Sequence, residues 1–409
     1  MTAKSAKAQF FQYTPPGGPE QQPESRKEEL ERQIDKAPYH LGPFHIAPWA
    51  ALHDVSYVRN FFANGIRTPN DLTATAGAGF RAYLRNGRKA AWTFQVLPEY
   101  VWWRDQADRR QINGRYLVAY SGFFNRLTLD VRGGREQQQR VVTPELPIPV
   151  SARRDLGEVL AEVEITPVIH AFASSALNHQ NNLVEEGSGL EAEGLRLLDR
   201  DELVTRAGLR WIPRRQWSIS LGAERSEVDF DHGTLDRSNA GTAPVAEVRF
   251  SGRRVAFETD IAARSLEARQ GAQFVPYDRV TGSASLRLGS ESHVSTNLYA
   301  SRNLVYSLSP SYAYLTDDRL GISLTSRLGR RAQGRVFVEQ GTEGYTAYLA
   351  GAPPREDELS SYGATVIINL RGGFNLTLQG LRAQFDSNLP GGDRNYSVAG
   401  AAIDFLGFK

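Results

Sequence analysis

Few side chains in this sequence could do covalent chemistry, and they are scattered. The seven histidines are His40, His45, His53, His170, His179, His232 and His293, and none stands at metal-ligand spacing from another. His170 and Ser174 would share a strand face, as would His293 and Ser295, which is the minimum a nucleophile and base need. No acid stands at a readable position to complete either pair. There is no cysteine, which excludes disulfides, thiolate metal sites and thiol nucleophiles. GxGxxG, GxSxG and HExxH are absent. The glycines of "GAGF" (77–80) suit close packing better than phosphate binding. The sequence therefore predicts no catalytic, cofactor-binding or metal-binding residues.

The charged residues are more informative. In "RRVAFETDIAAR" (253–264), Val255, Phe257, Thr259, Ile261 and Ala263 fall on one face of a strand. Arg254, Glu258, Asp260 and Arg264 fall on the other. Similar segments add basic candidates at Arg206, Arg210, Arg249, Arg287, Arg327 and Arg335, and acidic ones at Glu99, Glu224, Glu247 and Glu339. Rows of arginine facing rows of acid would cross-brace a wall. If the wall encloses water, they also set a transverse field that selects polar solutes.

The elements carrying these residues have period two from about residue 44 to the end. In "AWTFQVLPEYVW", Trp92, Phe94, Val96, Pro98, Tyr100 and Trp102 oppose Thr93, Gln95 and Glu99. "QWSISLGAE", "RVTGSASLRLG", "RLGISLTSRLG" and "GFNLTLQG" alternate in the same way. Tight turns are predicted at 85–89, 132–136, 166–167, 213–216, 251–254, 289–292, 329–332 and 371–373. Longer polar loops are predicted near 60–70, 104–113, 148–155, 180–201, 231–243, 269–276, 306–316, 346–359 and 386–394. The two kinds alternate strictly, so eight turns and nine loops join eighteen strands. To keep that count, "QQRVVTPELPIPV" (138–150) must act as the fifth strand despite three prolines; as a loop it would lower the number to sixteen.

Short turns at one end and long loops at the other have no rationale in a soluble sandwich. They are the pattern of an outer-membrane barrel with short periplasmic turns and longer external loops. An open sheet of that width would leave two edges unpaired, whereas closure removes them and lipid covers the apolar face. Trp92, Trp211, Trp217, Phe250, Phe257 and Phe374 all stand beside tight turns, where an interfacial aromatic girdle belongs. No apolar run is long enough for a transmembrane helix.

Residues 1–43 differ in composition. Four of the six lysines lie among the first 36 residues, and residues 1–24 are rich in Pro, Gly and Gln, as in a disordered tail. "SRKEELERQIDKA" (25–37) predicts a short helix with a Ser25–Glu28 capping box and a thin Leu30–Ile34 stripe. A solvated helix is the plainer reading, and a docked plug or periplasmic contact the sharper one. Ala6-Lys7-Ala8 resembles a signal-peptidase site without an apolar stretch before it, which favours a processed or re-started chain. Net charge is +2, which gives no electrostatic case for nucleic acid. The acidic loop "LVEEGSGLEAEG" (183–194) could constrict a lumen or simply be solvated.

From "LGPFHIAPWAALHDVSYVRNFF" (41–62), the repeated strand–PRRQ-like turn–strand units and the closing "AGAAIDFLGF" (399–408), residues 41–409 resemble Gram-negative outer-membrane β-barrels of the β-barrel porin type, often linked to exopolysaccharide gene clusters. Phe408 is followed by Lys409, a departure from the terminal aromatic common in such barrels.

The reading is an all-β, closed antiparallel transmembrane barrel of about eighteen strands (44–409) preceded by a periplasmic tail (1–43). It would pass hydrophilic solutes or glycan through a mixed-charge lumen, with no cofactor and no catalysis. Its surroundings would be outer-membrane lipid and lipopolysaccharide, with a periplasmic partner at the N-terminal segment and self-association both open. A scaffold barrel is the alternative, and an outer-membrane enzyme a lesser one.

Overall fold

The computed structural model describes residues 26–58, 71–105, 107, 110–140, 142–145, 150–183, 194–231, 236–290, 293–348, 352–371 and 374–405. Helix α1 (Arg26–Asp35) and the three-residue strand β1 (Tyr39–Leu41) precede eighteen long strands. These are β2 (Phe44–Val58), β3 (Asp71–Asn86), β4 (Ala90–Trp103), β5 (Gln111–Phe124), β6 (Leu127–Arg140), β7 (Val150–Thr166), β8 (Ile169–Asn182), β9 (Arg200–Arg214) and β10 (Trp217–Phe230). The ring continues through β11 (Asn239–Ser251), β12 (Val255–Ala268), β13 (Tyr277–Gly289), β14 (Val294–Tyr306), β15 (Tyr312–Arg327), β16 (Ala332–Ala347), β17 (Glu356–Asn369), β18 (Phe374–Ser387) and β19 (Arg394–Phe405).

Each strand pairs antiparallel with its sequence neighbours, and β19 pairs with β2 through Ala399–Tyr57 to Phe405–Ala50, which closes the ring. Closure leaves no edge in the ring to pair with another chain. The connections alternate between two to four residues and five to seventeen residues, as the sequence pattern predicts.

Two corrections concern the fifth and sixth strands. Of the expected strand 138–150, residues 138–140 end β6, residue 150 opens β7 and the described residues 142–145 between them form no strand, yet the count stays at eighteen. The missing strand comes from a two-residue turn at Asn125–Arg126, where Asn125 holds a positive φ of 30°. Asparagine tolerates that conformation better than most residues with a Cβ. Residues 132–136 are not a turn but the middle of β6; Gly134 is there because a Cβ would stand 2.3 Å from the Tyr116 carbonyl oxygen. Likewise 150–155 begin β7, and 239–243 begin β11.

The barrel is inside-out relative to a soluble protein. Leu221, Ile112 and Leu320 are 63%, 66% and 66% exposed and point outward, while Thr73, Thr75, Glu224 and Asp357 point inward and are at most 2% exposed. In a water-soluble protein so much exposed apolar surface would drive association. On β15 the outward residues Leu324, Ile322 and Leu320 give way to Asp318 toward the long-loop end, and on β10 Trp217, Ile219, Leu221 and Ala223 give way to Arg225. About ten residues of tilted strand match the roughly 25 Å apolar band of such barrels.

Helix α1 is not solvated. Ile34 and Ala37 are buried against Tyr83 and Ala91, with Leu30 and Ala47 alongside. Tyr83 donates its hydroxyl to Gln33 Oε1 at 3.2 Å, and Arg85 donates to Asp35 Oδ1 at 2.8 Å. Tyr83, Ala47 and Ala91 share the inner-face register, so the helix lies on the inner wall at the short-turn end.

Candidate functional site: the inner wall and its long-loop mouth

The inner wall is a lattice of ion pairs that the antiparallel register brings together. Directly opposed positions on neighbouring strands share a face, so an arginine on one strand meets an acid on the next. Arg206 and Glu224 are ladder partners, with Nε 2.6 Å from Oε2, and Arg264 Nη1 lies 2.7 Å from Glu224 Oε1. Arg249 bonds Glu247 on its own strand and lies 2.9 Å from Glu258 on β12. Arg210 reaches Glu162 at 2.5 Å, and Arg115 reaches Glu136 at 2.7 Å. On β4, Glu99 meets His53 Nε2 at 3.3 Å. Gly77 opposite has no Cβ because one would stand 2.7 Å from Glu99 Cγ and 2.8 Å from the Trp49 ring.

Most of the sequence-derived lining residues lie on this inner face: Glu99, Arg206, Arg210, Glu224, Glu247, Arg249, Glu258, Asp260, Arg264, Arg287, Arg335 and Glu339. Arg254 does not; it is exposed in the Gly252–Arg254 turn, because β12 begins at Val255. Arg327 is the last residue of β15 and is exposed at the short-turn rim. The six aromatics Trp92, Trp211, Trp217, Phe250, Phe257 and Phe374 point outward near the short turns. Trp217 and Phe250 are ladder partners with ring centroids 4.7 Å apart.

Of one dense cluster at the long-loop end, only Glu339 was singled out in the sequence. Arg319 lies 2.7 Å from Asp317, 3.1 Å from Glu339 and 3.7 Å from Glu343. Arg394 Nη2 lies 3.0 Å from Glu343 and 2.8 Å from Asp357, and Arg355 Nη2 lies 2.6 Å from Asp357. The equal-parity spacing of 317/319 and 339/343 was visible, but only the register shows that four strands deliver these groups to one place.

A loop meets this cluster. Glu145, in the β6–β7 connection, accepts the Ser307 hydroxyl at 2.9 Å and the Leu308 N–H. Arg394 donates to the Pro144 carbonyl at 2.9 Å. The β14–β15 connection that holds Ser307 lies eight strands around an eighteen-strand ring, so Thr143–Glu145 reaches across the mouth. Burial pushes the Glu145 carboxyl above the usual carboxylate range, against the opposing pull of Leu308 N–H, Ser307, Arg355 and Arg394. Arg237, buried in the β10–β11 connection, also grips this loop through the carbonyls of Ser307 and Ser309. Of the acidic loop 183–194, residues 184–193 lie outside the described residues.

The histidines have structural partners. His170 Nδ1 sits 2.9 Å from Glu162, but Ser174 is four residues along the same strand, about 13 Å away at the strand rise, too far for a hydrogen bond. His179 sits 2.7 Å from Asp201 on the outer face. His232 lies outside the described residues. Among the described residues no group of three or more potential ligands could hold a metal.

No family model and no curated protein matches the chain. Solved structures do. A BenF-like porin from Pseudomonas fluorescens Pf-5 aligns with a TM-score of 0.56 at 9% identity, over 90% of this chain and 100% of that one. The chain has the fold of an outer-membrane porin barrel. OccK2 (OpdF) of Pseudomonas aeruginosa aligns with a TM-score of 0.52 at 11% identity, over 88% of this chain and 95% of that one. The chain spans 63% of the length of the FrpB iron transporter (F3-3 variant) of Neisseria meningitidis, with 87% of its own length matched at a TM-score of 0.47 and 9% identity.

Proposed function

We propose that the protein is an outer-membrane channel for passive passage of hydrophilic solutes, small sugars or glycan segments among them. The observation that carries this reading is the closed eighteen-strand ring with a polar, ion-paired inner wall. A ring of that size normally encloses water. Mixed charge on the wall favours solutes that exchange hydration for hydrogen bonds, and no covalent step is involved. The likeness to a BenF-like porin supports the same reading. Lipopolysaccharide would surround the long-loop half of the outer face, where Arg302–Asp318 and Arg135–Asp155 pairs stand beyond the apolar band. Residues 1–43 form the periplasmic segment and 44–409 the barrel in this account, with α1 narrowing the periplasmic mouth. Any periplasmic partner would dock on that segment.

Swelling of proteoliposomes in isotonic sugars of increasing size tests the reading. A graded swelling rate with a size cut-off is expected. Rates equal to empty liposomes, from protein shown to be inserted, would favour the scaffold alternative.

A further inference from the structure

We propose that Glu145 is the positioning residue that sets the width of the long-loop mouth, by latching the Thr143–Glu145 strap to the far side of the barrel. This rests on the channel reading above. Among the described residues of the strap, Thr143 is buried and holds a single β-bridge. Pro144 has no N–H to give to a ladder. The strap's side-chain link to the β14–β15 connection is the Glu145 carboxyl on Ser307 and Leu308, and Arg394 adds a bond to the Pro144 carbonyl. Glu145 is nearly sealed from solvent, with 6% of its side chain exposed, so the contact is packed shut and not a passing surface pair.

The latch also has a pH response whose direction follows from its surroundings. The β14–β15 connection brings only a hydroxyl and an N–H. The facing charges are Arg355, 4.0 Å away, Arg394 and, farther off, Arg237, with the Tyr345 phenol beside them. Asp357 and Glu343 on the wall already hold Arg394, and Asp357 holds Arg355. The cations nearest Glu145 are thus largely neutralised, and burial of its charge is poorly compensated. A carboxyl with a higher pKa latched than free takes up a proton on latching. Acid therefore favours the latched strap, and the latch weakens as pH rises through the latched value.

The test is single-channel conductance of full-length wild type, Glu145→Ala and Glu145→Gln between about pH 4 and pH 8. Wild type should conduct more as pH rises, with a midpoint above the ordinary glutamate value of about 4.3. Glu145→Ala should show the larger conductance and larger solute cut-off at every pH. Glu145→Gln, whose amide oxygen still accepts the Leu308 N–H, should keep the small conductance without pH dependence. Conductance of Glu145→Ala that matches wild type in size and pH profile overturns the latch while leaving the channel reading intact. Silence of all three from folded, inserted protein overturns the channel reading and the latch with it.

Discussion

Arg206 and Glu224 meet across the β9–β10 ladder at 2.6 Å, and the Glu224 side chain is only 1% exposed. A single acid therefore holds two arginines in place, because Arg264 approaches its other oxygen from β12. The wall of this barrel is a charge lattice in which each member orients the next.

Glu224→Ala removes the shared acid and leaves two inward cations. Loss of one member of a buried pair costs about 3–5 kcal/mol, and the partial exposure of Arg206 puts this case at the lower end. Ion selectivity should move toward anions, read as a shift in reversal potential under a salt gradient. Glu224→Gln should give a smaller shift of the same sign.

Ile34→Glu should unseat α1 from the inner wall. Ile34 is 2% exposed, and its burial is worth about 1.5–3 kcal/mol before the cost of placing a charge there. Single-channel conductance should rise in this variant and equally on deletion of residues 1–38. Unchanged conductance in both would show that the helix does not restrict the pathway.

Leu320→Arg puts a charge in the apolar band, where the cost is about 2–4 kcal/mol near the midplane. The urea midpoint for unfolding from lipid vesicles should fall accordingly. Gln379→Arg faces inward and should leave that midpoint nearly unchanged.

Asn125→Val should destabilise the β5–β6 turn by about 1–2 kcal/mol, since a β-branched residue resists positive φ, and Asn125→Gly should be close to neutral. The same urea titration reads both.

Fold class was legible because two periodic signals coincide: side-chain alternation along each strand and the alternation of short and long connections. The register of fifth and sixth strands was not. Gly133-Gly134 reads as a turn, whereas Gly134 relieves a close backbone contact inside β6; the real turn at Asn125 carries no glycine. The segment 138–150 read as a poor strand because of its three prolines; residues 138–140 close β6, residue 150 opens β7, and the described residues 142–145 carry Pro144 and Glu145. Arg254 fitted the alternation of β12 by parity, but the strand starts one residue later. Inward charges on single strands could be read from period two. Which of them meet could not, because the Arg319 and Arg394 cluster depends on β15 to β19 lying side by side, with groups from β15, β16, β17 and β19 converging on one place.

The most direct test of the central claim is single-channel recording of the purified full-length protein in a planar lipid bilayer. The account predicts discrete, stable current steps whose size rises when residues 1–38 are removed. A folded, inserted protein that passes no current in either form would contradict it.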